Sequence, residues 1–498
     1  MNRRHFLATA TLPVLPTELP AATQAGPLEV GNRRELFVDR FLIDKLDGAS
    51  LRLHEPRSEG AVLQLDRPWE GPHCCYTTIL KDTDRYRLYY RGTTRDLKRE
   101  FTCIAESRDG IAWTRPNLGL VEFNGSKDNN LILADRVECH NFTPFLDPCP
   151  GVPSAERYKA LGGQIHRNPA GGLTAWASAD GVRWRKLHEQ AVITKGAFDS
   201  QNVAFWSETE QCYVAYFRTF SAGVSTATEW RLDGVRTISR ATSTDFLRWS
   251  DTVPMTFGDT LPEHLYTNAT TPYFRAPHIY LAMPSRYLAG KDAVTSEQQA
   301  QLGVSPLLRR KGEGFNDIPL MSSRGGSRYD RTFMEAFIRP GLGLKNWTSR
   351  ANYPACGLVP CTDDPTRLAI YLNRHVGYRS AYIERMTLRL DGFASVNASY
   401  RGGEMLSKPL KFEGTRLTVN YSTSAAGHLR VEVQDLNGKP LPGFALAECP
   451  EHIGDELDRT VTWKNGPDLG SLAGGPVRLR FVMKDADLFA LQFRRRSS

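Results

Sequence analysis

The sequence has no apolar run long enough to cross a membrane as a helix, so a membrane span is not expected. It also has no basic stripe interleaved with aromatic residues, although its formal net charge is +8. Nucleic acid is therefore not expected as a partner, because proteins that bind it concentrate Lys and Arg on one face. The positive charge is spread along the chain, which leaves a polyanionic carbohydrate open as a ligand. The oligomeric state does not follow from the sequence.

Metal-ligand spacing is absent from the nine cysteines, whose number is odd. Cys74 and Cys75 are adjacent, and Cys356 and Cys361 are too far apart for a zinc knuckle. We predict no metal site built on cysteine and interpret these residues as small buried hydrophobic side chains. An oxidising destination would permit a disulfide that the sequence does not assign. No cofactor is expected to be required; a structural Ca²⁺ is left open, although no loop has a calcium-binding spacing.

The first 25 residues resemble an export signal. Arg3 and Arg4 precede Phe6-Leu7 and a weakly apolar stretch that ends in small residues at 21–25. A twin arginine in this context is typical of bacterial twin-arginine signals, so we exclude residues 1–25 from the fold and expect a periplasmic or extracellular protein. The alternative is an ordinary disordered start, because prolines interrupt the apolar stretch.

One short motif recurs along the chain at intervals of roughly 65–80 residues, which indicates a repeat architecture. It has Ser, then Asp two residues later, then Trp, and it lies at Ser107–Trp113, Ser178–Trp184, Ser243–Trp249 and, in a degenerate form, Ser323–Tyr329. The Asp can accept hydrogen bonds from its own turn, and the Trp packs the turn against the neighbouring sheet. We therefore interpret these residues as structural.

A second series of strand-like runs gives one run per unit and five units in all, at residues 86–92, 158–166, 213–218, 279–287 and 368–375. The period suits a propeller blade of four strands with generous loops. The sequence therefore predicts an all-β protein with a five-bladed β-propeller over residues 30–390. The apolar run at 35–44 is predicted to be the strand that closes the ring.

The pattern changes after about residue 390. Strict alternation of apolar residues, as at Leu417, Val419 and Tyr421, is separated there by turns rich in Gly, Pro and Asn. Such alternation indicates half-buried antiparallel strands. Residues 391–498 are therefore predicted to form a jelly-roll-like β-sandwich. We expect it to brace the propeller, because no exposed aromatic platform stands out in it.

Polar and titratable residues stand at the start of the predicted inner strands of the propeller. These strands line a central channel, and their first residues converge on one mouth, where binding and chemistry are usually built. The residues predicted to bind substrate at this mouth are Trp69, His73, His140, Asn141, Gln201, Asn202, His264 and Asn268.

Five repeats with Ser-x-Asp-(Gly)-x-x-Trp turns, acids at the inner strands and a trailing β-sandwich resemble the five-bladed glycoside hydrolases of families 32, 43, 68 and 117. The position of the sandwich is most similar to family 32. The Trp-Met-Asn-Asp-Pro-Asn-Gly, Arg-Asp-Pro and Glu-Cys motifs of family 32 are absent. The resemblance therefore implies a glycoside hydrolase from a divergent branch, whose substrate is not expected to be fructan or sucrose.

The resemblance also implies three carboxylates at the mouth. Cleavage of a glycosidic bond needs a general acid and a carboxylate that attacks or activates water, and a third acid can hold the substrate. We predict that Asp199 and Glu70 are the base or nucleophile and the orienting acid, in either order. Glu335 is predicted to be the general acid, because the run FMEAFIRPG is apolar enough to bury it.

Each of these carboxylates also has a structural alternative. Asp199 could cap a turn, Glu70 could belong to a structural turn, and Glu335 could form a salt bridge with Arg331 or Arg339.

Four arginines occupy similar places in the second strands of the predicted blades: Arg91, Arg218, Arg286 and Arg374. If their guanidinium groups reach the mouth, they would bind carboxylate or sulfate groups of an acidic or sulfated glycan. The alternative is that they pair with the catalytic acids and with turns between blades.

The predicted function is a secreted glycoside hydrolase acting on a plant- or algal-type polysaccharide or oligosaccharide. One alternative is a sialidase-like hydrolase, since the repeated turn is similar to the sialidase Asp-box, although sialidases have six blades. The other is a non-catalytic glycan-binding propeller, in which Trp69, Tyr266 and Tyr353 would carry the affinity.

Overall fold

A computed structural model describes residues 26–134, 140–163, 171–226, 229–309, 311–349 and 351–495. The export signal predicted at residues 1–25 lies outside the described residues. Within them the chain folds as a ring of five β-sheet blades, of which the fourth is divided into two sheets, joined to a larger sheet assembly formed by both ends of the chain. No helix in these ranges is long and apolar enough to span a membrane.

The first strands do not belong to the ring. They are β1 (Leu28–Gly31), β2 (Arg34–Leu36), β3 (Ile43–Asp47) and β4 (Ala49–Leu53). Each pairs with a strand formed by residues after 390, for example Leu36 with Ala490 and Ile43 with Ser407. The prediction that residues 35–44 close the ring is therefore wrong.

The ring is closed instead by β5 (Arg57–Gln64), which is the outer strand of the last blade. Most side chains of β5 are exposed, so its sequence carries little apolar periodicity. The run at 35–44 is apolar because it packs inside the second sheet assembly and against the propeller, which explains why the pattern misled.

Each blade is an antiparallel sheet whose strands follow one another from the channel outwards. Blades one to three comprise β6 (Cys75–Lys81), β7 (Tyr86–Thr93), β8 (Glu100–Ser107) and β9 (Leu131–Leu133); β10 (Thr143–Leu146), β11 (Tyr158–Gly162), β12 (Thr174–Ser178) and β13 (Arg185–Lys186); and β14 (Val203–Ser207), β15 (Cys212–Ser225), β16 (Trp230–Ser243) and β17 (Val253–Pro254).

Blade four has interrupted strands, and blade five is completed by β5. Their strands are β18 (His264–Leu265), β19 (Thr271–Tyr273), β20 (Ala276–Ala282), β21 (Arg286–Leu288), β22 (Phe315–Pro319), β23 (Met321–Ser323) and β24 (Ala336–Ile338), then β25 (Asn352–Pro354), β26 (Val359–Pro360), β27 (Arg367–Arg374) and β28 (Tyr382–Arg389). The helix α1 (Ser296–Gln301) lies between β21 and β22 and starts with a capping box at Thr295 and Gln298.

The channel has two ends, which we call the mouth and the turn end. The inner strands begin at the mouth, and the turns that follow them lie at the turn end. The inner strands of blades one and five are joined directly, because the Cys356 N–H donates to the Thr77 carbonyl and the Ile79 N–H to the Cys356 carbonyl. Hydrogen bonds thus close the ring near the axis as well as at β5.

The Ser-x-Asp motif forms the predicted turns at the turn end. In the first copy, Oδ1 of Asp109 accepts from the N–H groups of Ile111 and Ala112, both at 2.8 Å, and Nε1 of Trp113 donates to the Gly110 carbonyl. Equivalent bonds occur around Asp180 and Asp245. The motif is therefore a self-contained turn that the local sequence specifies.

The sandwich contains β29 (Ala394–Ala398), β30 (Gly403–Ser407), β31 (Leu410–Phe412), β32 (Arg416–Gln434), β33 (Asp455–Thr460) and β34 (Arg478–Arg494). β32 and β34 pair along almost their whole length, and the alternating residues such as Leu417, Val431 and Phe481 are fully buried. The predicted fold class, an all-β chain with a five-bladed propeller followed by a β-sandwich, is confirmed.

Buried ion pairs connect the sandwich assembly to blade four. Arg324 donates to both Glu35 and Asp39, and Nε2 of His278 lies 3.0 Å from Oε1 of Glu35. Burial alone would raise the pKa of Glu35, but the hydrogen bond to His278 and the charge of Arg324 outweigh it and lower that pKa. The two assemblies are thus held by charges that compensate one another.

Candidate active site at the channel mouth

Three tyrosines from different blades form the floor of the mouth. Tyr76, Tyr266 and Tyr353 have ring centroids 5.4 Å apart for the pair 76–353 and 6.0 Å apart for the pair 266–353. Burial raises the pKa of Tyr76 far above its usual value, so its hydroxyl stays protonated. Tyr76 also has a left-handed backbone (φ 54°), as does Asn141 (φ 51°). Such strained positions often occur at functional sites.

Three arginines surround these rings. The guanidinium carbon of Arg91 lies 4.4 Å from the Tyr76 ring centroid, and that of Arg218 lies 5.0 Å from the Tyr266 centroid. Arg236, on β16, lies 5.3 Å from the ring of Tyr287. Cation–π contacts hold the three charges close to the tyrosines and close to one another.

Arg91 and Arg218 differ in how their charge is compensated. Arg91 donates to Oδ1 of Asn141 at 2.8 Å and to Sγ of Cys75. Burial alone would lower the pKa of Arg91, but Cys75 and Glu100 raise it. The pKa of Arg218 is lowered, mainly by burial, and the charge of Arg236 contributes in the same direction. The Nε atoms of Arg218 and Arg236 have no hydrogen-bond partner among the described residues.

Asp199 is the predicted carboxylate that the structure does bring to the mouth. It forms an ion pair with Nη2 of Arg218, and 43% of its side chain is exposed. It immediately precedes the buried segment Ser200–Asn202, which fixes its position. Asp199 is therefore both held by a cation and accessible to a ligand.

A second acidic group, which the sequence did not single out, lies at the same end of blade one. Oε1 of Glu100, the first residue of β8, is 2.6 Å from Nδ1 of His140. The two side chains are 11% and 9% exposed. A carboxylate that holds one imidazole nitrogen fixes the orientation of the ring.

His73 and His264 also lie at the mouth. The His73 carbonyl accepts from Nε of Arg91, and its ring is 6.4 Å from that of Tyr76. Nδ1 of His264 accepts from the Arg236 N–H at 3.2 Å. Burial and the charge of Arg236 lower the pKa of His264, so it is a neutral acceptor there.

The predicted amides stabilise the channel instead of facing the mouth. Nε2 of Gln201 donates to the Thr77 carbonyl at 2.9 Å, which joins blades three and one across the axis. Asn202 donates to the carbonyls of Phe198 and Ser200, and Asn268 donates to that of Tyr216. All three amide side chains are at most 2% exposed, so a ligand at the mouth does not reach them.

Glu70 and Trp69 lie in the core of blade one, away from the mouth. The carboxylate of Glu70 is fully buried and accepts from Nε and Nη2 of Arg115 and from the Tyr90 hydroxyl. Nε1 of Trp69 donates to Oδ1 of Asn130. Glu70 is thus held in the way expected of a structural salt bridge, and we do not retain it as a catalytic group.

Glu335 is exposed and precedes β24, the outer strand of blade four. The apolar run in which it lies has buried residues, among them Phe333, Phe337 and Ile338, but Glu335 itself is exposed. The burial that was predicted for Glu335 is therefore absent, and it does not lie at the start of an inner strand.

Arg286 and Arg374 form the structural pairs that were the alternative interpretation. Arg286 makes a bidentate contact with Asp317, at 2.7 and 2.6 Å, and also donates to Glu263. Nε of Arg374 donates to Glu384 at 2.6 Å. Of the four arginines predicted to bind an anion, only Arg91 and Arg218 contact the three tyrosines of the mouth. Arg236, which was not predicted, contacts Tyr266 as well.

Metal binding at the mouth has no direct support. In the described ranges no group of three or more His, Cys, Asp and Glu side chains is arranged to hold a metal ion. The buried oxygens without a partner near the axis, on Ser200, Gln201 and Asn202, are neutral. Calcium sites usually include carboxylates, so a structural Ca²⁺ stays a prediction.

Comparison with known proteins gives neither a matching family model nor a matching curated protein. The chain is similar to a solved glycoside hydrolase (TM-score 0.44, 11% identity), covering 67% of this chain and 92% of the other. An N-acetylgalactosamine deacetylase from F. plautii, in complex with blood group B trisaccharide, has TM-score 0.44 and 10% identity over 69% and 96% of the two chains. A family 43 arabinoxylan arabinofuranohydrolase from Bacillus subtilis has TM-score 0.37 and 12% identity over 86% and 97%. These similarities are too distant to assign an activity.

Proposed function

We propose that this protein is a glycoside hydrolase that cleaves an anionic glycan at the mouth of the propeller. The observation that carries the proposal is the arrangement around Arg218. Two neighbouring arginines, Arg218 and Arg236, have buried Nε–H groups without partners among the described residues, and Arg218 pairs with the exposed carboxylate of Asp199. A carboxylate or sulfate group of a sugar would supply the missing acceptors.

The tyrosines provide the surface on which a sugar ring can rest. Tyr287 is half-buried and packs against the buried ring of Tyr266, and Arg236 lies beside both rings. Aromatic rings next to charged hydrogen-bond donors suit a ligand that is apolar on its ring face and polar at its rim.

Asp199 and His140 are the groups that we assign to bond cleavage. The ion pair with Arg218 keeps the Asp199 carboxylate charged, which suits a base or nucleophile. The pair formed by His140 and Glu100 suits the proton donor to the leaving oxygen, because the carboxylate orients the imidazole. In this proposal His140 replaces Glu335 as general acid.

The test is a screen of the full chain against acidic and sulfated plant and algal polysaccharides and aryl glycosides. Asp199→Asn and His140→Gln are expected to abolish release of sugar while both proteins still fold. The matched control is Glu335→Gln, an exposed carboxylate of blade four, which is expected to keep full activity. If the control is inactive and Asp199→Asn is active, the assignment fails. If all variants bind one glycan equally without turnover, the protein is a binding module.

Eliminative cleavage is a second candidate, favoured by the excess of arginines over exposed carboxylates among the described residues of the mouth. In elimination, a base removes the proton on the carbon next to the uronate carboxylate. The C–O bond to the leaving sugar breaks, its oxygen takes up a proton, and a C=C bond forms. Arginines would stabilise the charge on the carboxylate. An ultraviolet-absorbing unsaturated product identifies this route, whereas hydrolysis gives saturated sugars.

Export to the periplasm or the medium is part of the proposal and follows from the twin-arginine sequence alone. A fusion of residues 1–25 to a reporter that is active only after export tests it, with Arg3→Lys and Arg4→Lys together as the control.

A further inference from the structure

A second cleft lies at the turn end, between blade four and the strands that precede the propeller. Its volume is about 400 Å³, and residues from both assemblies line it, including Arg40, Phe41, Arg324, Arg328 and Lys408. This volume is within the range of about 300–1,000 Å³ that is usual for small-molecule sites. None of its residues belongs to the mouth, which is at the other end of the channel. We call it the interdomain cleft.

The lining of the interdomain cleft is positively charged. Arg324 is neutralised by Asp39 and Glu35, and its guanidinium stacks 3.8 Å from the Phe41 ring centroid. Arg40 and Arg328 are exposed, and neither makes an ion pair with any residue that the structure describes. Four cations line the cleft against two carboxylates, Asp39 and Asp330. The cleft therefore favours a negatively charged ligand.

A buried hydroxyl faces the same cleft. Ser322 lines it and is 1% exposed, and its Oγ has no hydrogen-bond partner among the described residues. An unsatisfied buried hydroxyl destabilises the fold, so such groups usually have a role. A ligand oxygen in the cleft would satisfy it.

The degenerate fourth copy of the Ser-x-Asp turn forms one wall of the cleft. In the other three copies, the Asp carboxylate occupies the turn and accepts two backbone N–H groups. The fourth copy has Gly325 at that position, and the carboxylate of Glu210 from blade three lies against it and accepts from the Gly326 N–H at 3.3 Å. Arg240 pairs with this carboxylate, so it adds little net negative charge to the cleft.

We propose that the interdomain cleft binds a saccharide through its carboxylate or sulfate group, held by Arg40, Arg328 and the Ser322 hydroxyl. We infer an anionic group in the ligand from the positive charge of the cleft and from the unsatisfied Ser322 hydroxyl. We infer a saccharide because the volume of the cleft exceeds that of a bare oxyanion, and this part rests on the proposed function of the mouth.

Isothermal titration of the full chain with glucuronate, inorganic sulfate and glucose at constant ionic strength tests the proposal. Glucuronate is expected to bind and glucose is not. Arg40→Gln combined with Arg328→Gln should weaken glucuronate binding at the cleft at least tenfold, and Ser322→Ala should weaken it less. The matched control is Arg401→Gln, another exposed arginine, on the sandwich, which should bind like the wild type. The same titrations are repeated with Arg236→Gln added to each protein, so that glucuronate binding at the mouth does not contribute to the measured affinity.

The outcomes separate this proposal from that of the mouth. Loss of cleft binding with unchanged turnover supports it, and so does cleft binding in a protein that shows no turnover on any glycan. Binding of sulfate but not of glucuronate overturns the saccharide, and equal affinity in the double variant and the control overturns the site. Unfolding midpoints without ligand check folding; if the double variant is unstable, Arg40→Gln alone carries the test, because its side chain is exposed.

Discussion

The two ends of the propeller use the same residue types, but they differ in how completely the charges are paired. At the turn end, an acid of each of the first three blades accepts from a tyrosine of the next blade and pairs with a cation. The sets are Asp82 with Tyr158 and Arg157, Asp147 with Tyr213 and Lys159, and Glu210 with Tyr280 and Arg240. At the mouth, Arg218 pairs with the exposed carboxylate of Asp199, and Arg218 and Arg236 retain unpaired Nε donors.

This difference separates stabilising residues from residues available to a ligand. A buried charge that is fully paired contributes to the contact between blades and has no donor or acceptor left for a ligand. A buried cation with unsatisfied donors is costly to the fold unless something else uses it. Arg240 at the turn end also has a buried Nε without a partner among the described residues. We therefore infer that two neighbouring arginines with unpaired donors beside an exposed carboxylate, and not an unpaired donor alone, mark the functional end of this propeller.

The largest expected effect is at the mouth. Asp199→Asn should lower kcat roughly 100- to 10,000-fold, the usual range for loss of an acid–base group, because the amide cannot act as base or nucleophile. The unfolding midpoint should change little, since the side chain is partly exposed. Steady-state kinetics on the substrate found in the screen, beside chemical unfolding, measures both. An active but unfolding-prone variant would show that Asp199 is structural.

The opposite result is expected at the turn end. Asp147→Asn leaves Lys159 buried without its partner at 2.8 Å, and both side chains are almost fully buried. Removal of one member of a buried pair typically costs about 3–5 kcal/mol. The free energy of unfolding should fall by that amount while kcat of the folded fraction is retained. Loss of kcat without loss of stability would contradict the division between the two ends.

Local patterns predicted the parts of the fold that depend on local chemistry. The turn around Asp109 could be predicted because its hydrogen bonds involve neighbours within three residues. The alternation in β32 predicted a half-buried strand for the same reason. The ring closure could not be predicted, because β5 is an exposed outer strand and its pairing with β28 spans more than 300 residues.

The candidate site was less predictable, because it depends on pairing across blades. Glu70 and Asp199 look alike in sequence, but Arg115 neutralises the first and buries it, whereas the second stays exposed. Glu100 gave no signal, since only its contact with His140 distinguishes it from other strand residues. Acids at the start of β-strands are common; which of them face a common mouth is set by the tertiary structure.

The sandwich also contains a buried polar group that is incompletely paired. His452 is buried there, and its Nδ1 has no partner among the described residues. Burial, and then the charge of Arg459, lowers its pKa to about 4. Unfolded chains bind a proton near pH 6.5, so the unfolded state takes up more protons between pH 6.5 and 4, and stability should fall on acidification.

We expect this loss to be on the order of 2 kcal/mol across that window. His452→Gln, which does not titrate, should flatten the pH dependence of the unfolding midpoint. A profile that stays as steep as that of the wild type would show that another group is responsible. Turnover should follow the same pH profile in both proteins, because the sandwich is remote from the mouth.

The smallest expected effect is in the repeated turn. Asp245→Ala removes acceptors for the N–H groups of Leu247 and Arg248, which should cost about 1 kcal/mol, because water reaches this turn and can replace part of the bonding.

These hydrogen bonds lower the pKa of Asp245 although burial alone would raise it, so its contribution to stability is present above about pH 4 and is lost as the pH falls further. Unfolding at pH 7 and pH 3 should therefore show a difference between variant and wild type that shrinks in acid. The fourth copy has Gly325 at this position, and the carboxylate of Glu210 from blade three accepts from its Gly326 N–H instead. A cost well above that of one hydrogen-bonded turn would mean that the three complete copies hold the blades together more tightly than their local bonds indicate.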